Sequence, residues 1–251
     1  MLVDGRYGSR DILDLLIIDA ISSTPLMKID FANTSSLQME SSRVYAMAAG
    51  TRRIAWDGEK TATLTVETQI YTMEMLALFA GEEIKKGKQN VYKTEIVSVE
   101  TGKVLNLKKA PVGDVVVYPY INGVSVKENQ INTLTGKVVT LDAASTVVVG
   151  DEVEVYYQTE VLSANKLSFT AKGFPKYVKL VGDTIWVDEV STSSVASQMV
   201  YYKAKLNPAI TISNSSEGDP SVLQLVFDLF PQKVNGVDTL IDMIVYDDQD
   251  E

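Results

Sequence analysis

Thr61-Ala-Thr-Leu-Thr-Val-Glu-Thr-Gln-Ile70 runs without a break into Tyr71-Thr-Met-Glu-Met-Leu-Ala-Leu-Phe-Ala-Gly81. In the first half Ala62, Leu64, Val66 and Ile70 share one side, and Thr61, Thr63, Thr65, Glu67 and Gln69 the other. That is the period-two pattern of a half-buried strand. In the second half the period changes. Thr72, Met75, Leu76, Phe79 and Ala80 fall at i, i+3, i+4, i+7 and i+8, which is one face of a helix. Thr72 offers an N-cap hydroxyl, and Gly81 is placed to end the helix in the left-handed conformation. Met73 and Leu78 make the opposite side apolar as well. One side covers a β core. The other needs a second surface, and a neighbouring subunit is the expected one, so Met73 and Leu78 are candidate assembly residues.

Most of the remaining chain reads as strands. Leu37 to Met47 is mixed apolar and polar, and Ala48-Ala49-Gly50-Thr51-Arg52-Arg53 reads as a small, basic linker. Ile54 to Trp56 resumes the extended pattern before an expected Asp57-Gly58 turn. Further strands are expected at Val91–Val99 and Val104–Leu107. Between Pro111 and Glu160 short β-branched runs alternate with turn residues, including the hairpin signal Asn122-Gly123. This stretch, 111–160, predicts either a small inserted β subdomain between two parts of a main β core, 1–110 and 161–251, or an extension of the main sheets. Leu167, Phe169 and Ala171 alternate, and Gly182-Asp183 predicts a hairpin between Tyr177–Val181 and Thr184–Val187. Val200 to Leu206, Leu223 to Leu229 and Leu240 to Tyr246 complete the set. The expected fold is mainly β, a sandwich or barrel with one short flanking helix.

At 251 residues the chain is long enough for a genuine core. Its N-terminal apolar run, Ile12 to Ala20, is interrupted by Asp14 and Asp19. That run is too short to span a bilayer and lacks a signal-peptide layout, so synthesis in the cytoplasm and no membrane partner are expected. With Gly5, Gly8, Ser22, Ser23 and Pro25 around it, the segment has the pattern of an arm that docks on a partner.

Cysteine and histidine are both absent. Disulfides, thiolate chemistry, Ser-His-Asp triads and His-bound metals are therefore excluded. Carboxylate or lysine chemistry survives as the weakest option. Gly102-Lys103 and Gly136-Lys137 lack the frame of a phosphate loop. Asp142, Asp151, Asp183 and Asp219 sit in expected turns without the spaced oxygen ligands of a calcium loop. No cofactor and no metal site is expected.

The net charge is −10, and after Lys233 every charged side chain is acidic: Asp238, Asp242, Asp247, Asp248, Asp250 and Glu251. An acidic chain is poorly suited to hold nucleic acid by its phosphates. Lys85, Lys86, Lys88 and Lys93 form a basic patch after the helix. It reads as a solvated loop or, with Lys85 and Lys86 against Asp247 and Asp248, as a charged contact between copies. Arg52 and Arg53 sit in a small-residue loop able to reach an adjoining subunit, although many surface loops look alike.

The Ala62–Gly81 passage, the loop Asn214-Ser-Ser-Glu-Gly-Asp-Pro-Ser221 and the strand after it together resemble the tail tube (major tail) proteins of tailed bacteriophages. The resemblance covers about the first eighty residues and the last ninety. It implies a virion structural protein assembling into rings, hexameric in that family. Such rings stack into a hollow tube that DNA crosses without specific binding. Other tail proteins, with or without a sheath, would be its partners. The Pro111–Glu160 stretch departs from the smallest members. Another virion protein, such as a head decoration or head–tail connector subunit, is the alternative, followed by a ligand-binding surface β-domain.

Overall fold

The computed structural model describes residues 6–9, 11–190, 192–218 and 220–246. The chain forms two compact units, 1–84 with 167–251 and, inserted between them in sequence, 85–166.

The first unit begins with strands β1 (Tyr7–Ser9), β2 (Asp14–Asp19), β3 (Pro25–Ile29), β4 (Thr34–Ala48) and β5 (Thr51–Thr68), followed by helix α1 (Met73–Ala80). The second unit holds β6 (Lys85–Ser98), β7 (Val104–Asn106), β8 (Val116–Ile121), β9 (Val124–Ser125), β10 (Asn132–Thr135), β11 (Val138–Leu141) and β12 (Glu152–Lys166). The chain then returns with β13 (Tyr177–Asp188), β14 (Ser194–Leu206), β15 (Leu223–Leu229), β16 (Gln232–Val234), β17 (Val237–Thr239) and β18 (Ile241–Tyr246). The mainly β reading with one short helix holds.

One antiparallel ladder, β3-β2-β13-β14-β15-β5-β4, runs through the first unit. β1 joins β2 on one edge of β13, and β18 joins β15 on the outer edge of β14. Leu15, Ile17 and Ile29 come from one end of this ladder, and Leu64, Val66, Leu225 and Phe227 from the other. All seven lie in one buried cluster. A continuous sheet whose distant strands share one core must curl around its inner face. Helix α1 fills the enclosed space with Met75 and Phe79.

The cap chemistry matches the sequence. Thr72 Oγ1 accepts from the Met75 amide at 3.2 Å, and Gly81 adopts φ 63°. Gly81 is also a point of close approach, since a Cβ there would run into the Phe174 backbone. The strand alternation ends earlier than expected. Thr68 is its last residue and is buried, its hydroxyl bonded to the Ile70 carbonyl, while Ile70 lies outside the strand and exposed.

Four other sequence expectations are corrected. The apolar run around Ile12–Ala20 is no docking arm: β2 sits between β3 and β13, with Leu15 and Ile17 fully buried. Gly182-Asp183 does not turn, because β13 is continuous through it; Gly182 is small because Leu13 packs where its Cβ would be. Asp57-Gly58 lies inside β5, at a bulge where Ser42 faces two residues instead of one. Leu167 to Ala171 forms no strand, since no ladder runs beside it.

The second unit is a small sandwich. Its four-stranded sheet, β6-β12-β8-β9, supplies Val117, Val153 and Val155, and its three-stranded sheet, β10-β11-β7, supplies Leu105, Val139 and Leu141. The Asn122-Gly123 hairpin forms with both residues at positive φ, as a type I′ turn requires. The 111–160 stretch lies inside this unit together with β6 and β7, which give β12 and β11 their partners.

Candidate assembly surface

β4 and β5 pair from Thr34↔Glu67 to Ala48↔Thr51. Near α1, Ala62, Leu64 and Val66 are buried; from Ser41 to Thr61 no residue of either strand is. The outer half is thus a two-stranded arm. Ala48 to Arg53 is its tip, not the linker expected: Ala49 and Gly50 both take positive φ, and the turn they make matches the twist of paired strands.

The register sorts the arm into two unlike faces. Arg43↔Asp57 and Tyr45↔Ala55 point one way, Val44↔Trp56 and Ala46↔Ile54 the other. On the first face Arg43 donates to Asp57, and the Arg52 guanidinium lies 4.3 Å from the Tyr45 ring centroid. On the second, Val44, Ile54 and Trp56 are 67%, 55% and 55% exposed. On the polar face Arg43 and Arg52 find partners within the arm, whereas the apolar face is left largely exposed by the described residues. A two-stranded ribbon alone is marginal in water, so a surface laid on this face would add stability. Sequence reasoning found Arg52 and Arg53 at the tip and missed Val44, Ile54 and Trp56. Their alternation is present in the sequence, but Ala-Ala-Gly and Asp-Gly break it.

Beside α1 lies a groove of about 410 Å³. Leu26, Met27, Ala77, Leu78 and Phe227 give it an apolar lining, and Asp19, Glu74, Glu82 and Glu83 ring it with carboxylates. Among the described residues, Lys176 is the one basic side chain in its wall. The Ser22 amide, then the Ile21 amide and the Ser22 hydroxyl, donate to Asp19 and hold its carboxyl below the ordinary aspartate value. Glu82 accepts from the Thr170 hydroxyl at 3.0 Å. The expected outward side of the helix is only partly outward: Met73 and Leu78 are half-buried, and Leu78 packs against the core as well as lining the groove.

Lys85 and Lys86 begin β6 and stand opposite Lys166 and Asn165. The basic patch is therefore strand rather than loop, and Lys88 in it pairs with Glu160 at 3.1 Å. Asp247 and Asp248 lie outside the described residues.

The second unit has a distinctive outer face. Tyr120 and Tyr118 of β8 stand opposite Glu152 and Glu154, Tyr156 follows on β12, and Tyr92 of β6 stands opposite Gln158. Four tyrosines thus step diagonally across three strands, with the Tyr118 and Tyr156 rings 5.6 Å apart, edge to face. Ser125 and Tyr156 donate to Glu154 and lower its pKa.

Among the described residues no group of three or more acidic side chains is arranged to hold a metal ion. No described helix is long and apolar enough to cross a membrane. No curated protein matches the sequence. A family model does, over residues 9–240, and it spans both units, the arm and the groove. The resemblance carried by the Ala62–Gly81 passage thus extends over nearly the whole sequence, and the chain belongs to the YomU/Tube protein family, a family of structural tube proteins.

Proposed function

We propose that the chain is the subunit of a phage tail tube, closing into rings of six that stack into a hollow conduit for DNA. The observation that carries this reading is the β4–β5 arm, which presents Val44, Ile54 and Trp56 to solvent on a ribbon too thin to have its own core. The chain acts by assembly rather than catalysis. Sheet edges pair between protomers within a ring, where closure satisfies their backbone groups, and arms join ring to ring. Other tail components cap or sheathe the tube. Residues 85–166 are an added domain on the tube core. The net charge of −10 supports a conduit that gives passing duplex no phosphate contacts.

Negative-stain microscopy of the purified protein over a wide concentration range tests this. Tubes with a central channel are expected. A compact monomer at every concentration overturns the reading. Isolated rings that never stack favour the alternative of a decoration or connector subunit.

The tyrosine diagonal favours a second role for residues 85–166, as a ligand-binding surface domain. Rings spaced across a sheet face suit stacking on a neutral polymer, and Glu152, Glu154 and Glu160 on the same face disfavour a polyanion. Sedimentation of the full-length protein with insoluble neutral polysaccharide tests it. Tyr92→Ala is expected to reduce the bound fraction. Equal binding by that variant removes the role.

A further inference from the structure

We propose that the groove beside α1 binds a linear aliphatic dication, a small molecule with an ammonium group at each end of a methylene chain. The site is separate from the assembly role and does not depend on it.

One wall of the groove is set by the helix and its cap. Glu74, Ala77, Leu78, Gly81 and Glu82 fall at i, i+3, i+4, i+7 and i+8, and all five line the groove. Residues at that spacing share one helical face. This stripe is apolar in the middle and acidic at both ends. Eight positions at the rise of an α-helix put the two carboxylates about 12 Å apart along its axis. Leu26 and Met27 of β3 and the buried Phe227 of β15 complete the apolar lining. Leu26 remains 46% exposed, so apolar surface in the groove is open to a ligand.

The charge selects a cation, and its placement selects a long one. Asp19 is already engaged: the amides of Ser22 and Ile21 bond it, and Lys176 is near enough to stabilise its charge. Glu82 accepts one hydrogen bond, from Thr170. Among the described residues, no ion pair engages Glu74, Glu82 or Glu83. Negative charge therefore stands unpaired at both ends of an apolar stretch. A monoamine answers one end only. A divalent metal ion answers the charge and leaves the apolar middle wet. Two ammonium groups joined by methylenes answer both ends and the middle at once. The volume, about 410 Å³, is that of a small-molecule pocket, whereas a protein partner covers a far wider surface. Burial of the methylenes supplies most of the affinity, and the exposed carboxylates set the preferred length.

Calorimetric titration of the full-length protein with straight-chain diamines tests this. Diaminooctane, extended, spans the two carboxylates and is expected to bind once per chain. It should bind about tenfold or more tighter than diaminopropane, which is too short, or octylamine, which has one charge. Magnesium chloride is expected not to displace it. Glu74→Gln and Glu82→Gln are each expected to weaken it about threefold. Glu40→Gln, outside the groove, is expected to leave it unchanged. Equal affinity for long and short diamines, or an equal loss from Glu40→Gln, overturns the proposal by showing attraction to net charge alone. Binding of a lysine–leucine peptide without binding of any diamine overturns it in favour of a protein segment. No saturable binding of any probe overturns it outright. Tube formation is read separately by microscopy, so either result leaves the assembly reading where it stands.

Discussion

Two halves of one strand teach opposite lessons. In β5, Thr61–Thr68 and Thr51–Lys60 continue the same backbone and pair with the same partner, β4. The inner half alternates buried and half-buried residues because its apolar side lies in the core cluster with Met75 and Phe79 of α1. The outer half alternates just as regularly, with Ile54 and Trp56 on one face, and among the described residues both stay more than half exposed. Alternation therefore reports which side of a strand is apolar, not whether the chain itself buries that side. The inner half belongs to folding; under the function proposed above, the outer half serves assembly.

The sharpest way to break this comparison is a charge in each half. Leu64→Asp places an unpaired carboxylate in the core, at a cost of several kcal/mol, and is expected to give insoluble or unfolded protein by circular dichroism. Ile54→Asp, ten residues earlier on the same strand, is expected to leave stability within about 0.5 kcal/mol while tube formation is lost in sedimentation. A melting transition equally damaged by both would show that the arm is part of the folding unit.

Truncation gives the next largest effect. Met75→Ala and Phe79→Ala remove buried contacts of α1 and are expected to cost about 2–5 kcal/mol in denaturant unfolding. Trp56→Ala is expected to cost nothing measurable there, yet to weaken assembly. This assigns the two apolar surfaces by separate readouts.

The junction between the halves is marked by the bulge at Gly58. A Cβ there would run into Ser42 Oγ. Gly58→Ala is expected to push Ser42 from its rotamer, at about 1 kcal/mol, and Ser42→Ala should recover much of that loss. Equal melting of the single and double variants would show that the backbone, not the hydroxyl, limits the site.

The smallest effect is in alkali. Burial pushes the Tyr201 phenol up to about 12. The unfolded chain then loses the proton first, so this contribution is present below about pH 10 and is lost as pH rises toward 12. Tyr201→Phe is expected to flatten the stability profile between those values. Tyr157, pushed up to about 12 by burial and by its bond to Glu95, should do the same for the second unit.

What was legible in the sequence was local. The Thr72 cap, the Gly81 stop, the buried Met75 and Phe79 and the Asn122-Gly123 hairpin each depend on residues within a few positions. What was not legible depends on distant partners. Gly182 reads as a turn because Gly-Asp usually is one, and only Leu13, from the other end of the chain, explains it. Lys85 and Lys86 read as a loop until Lys166 and Asn165 pair with them. The run around Ile12 has the composition of a segment that docks on something, and composition does not say that the dock is its own β13. For the candidate surface, Arg52 and Arg53 stood out by charge, whereas the Trp56 face emerges only from the register of β4 against β5.

Lys85 and Lys166 are ladder partners at the two ends of the second unit, so the incoming and outgoing chains are about 5 Å apart, one strand spacing. A genetic excision of everything between them leaves a gap that a two- or three-residue turn closes. The same spacing accepts a longer cassette, a different one, or several in tandem, without re-registering any strand of the nine-stranded sheet. An exchange at this position therefore leaves every strand and core residue of the first unit unchanged.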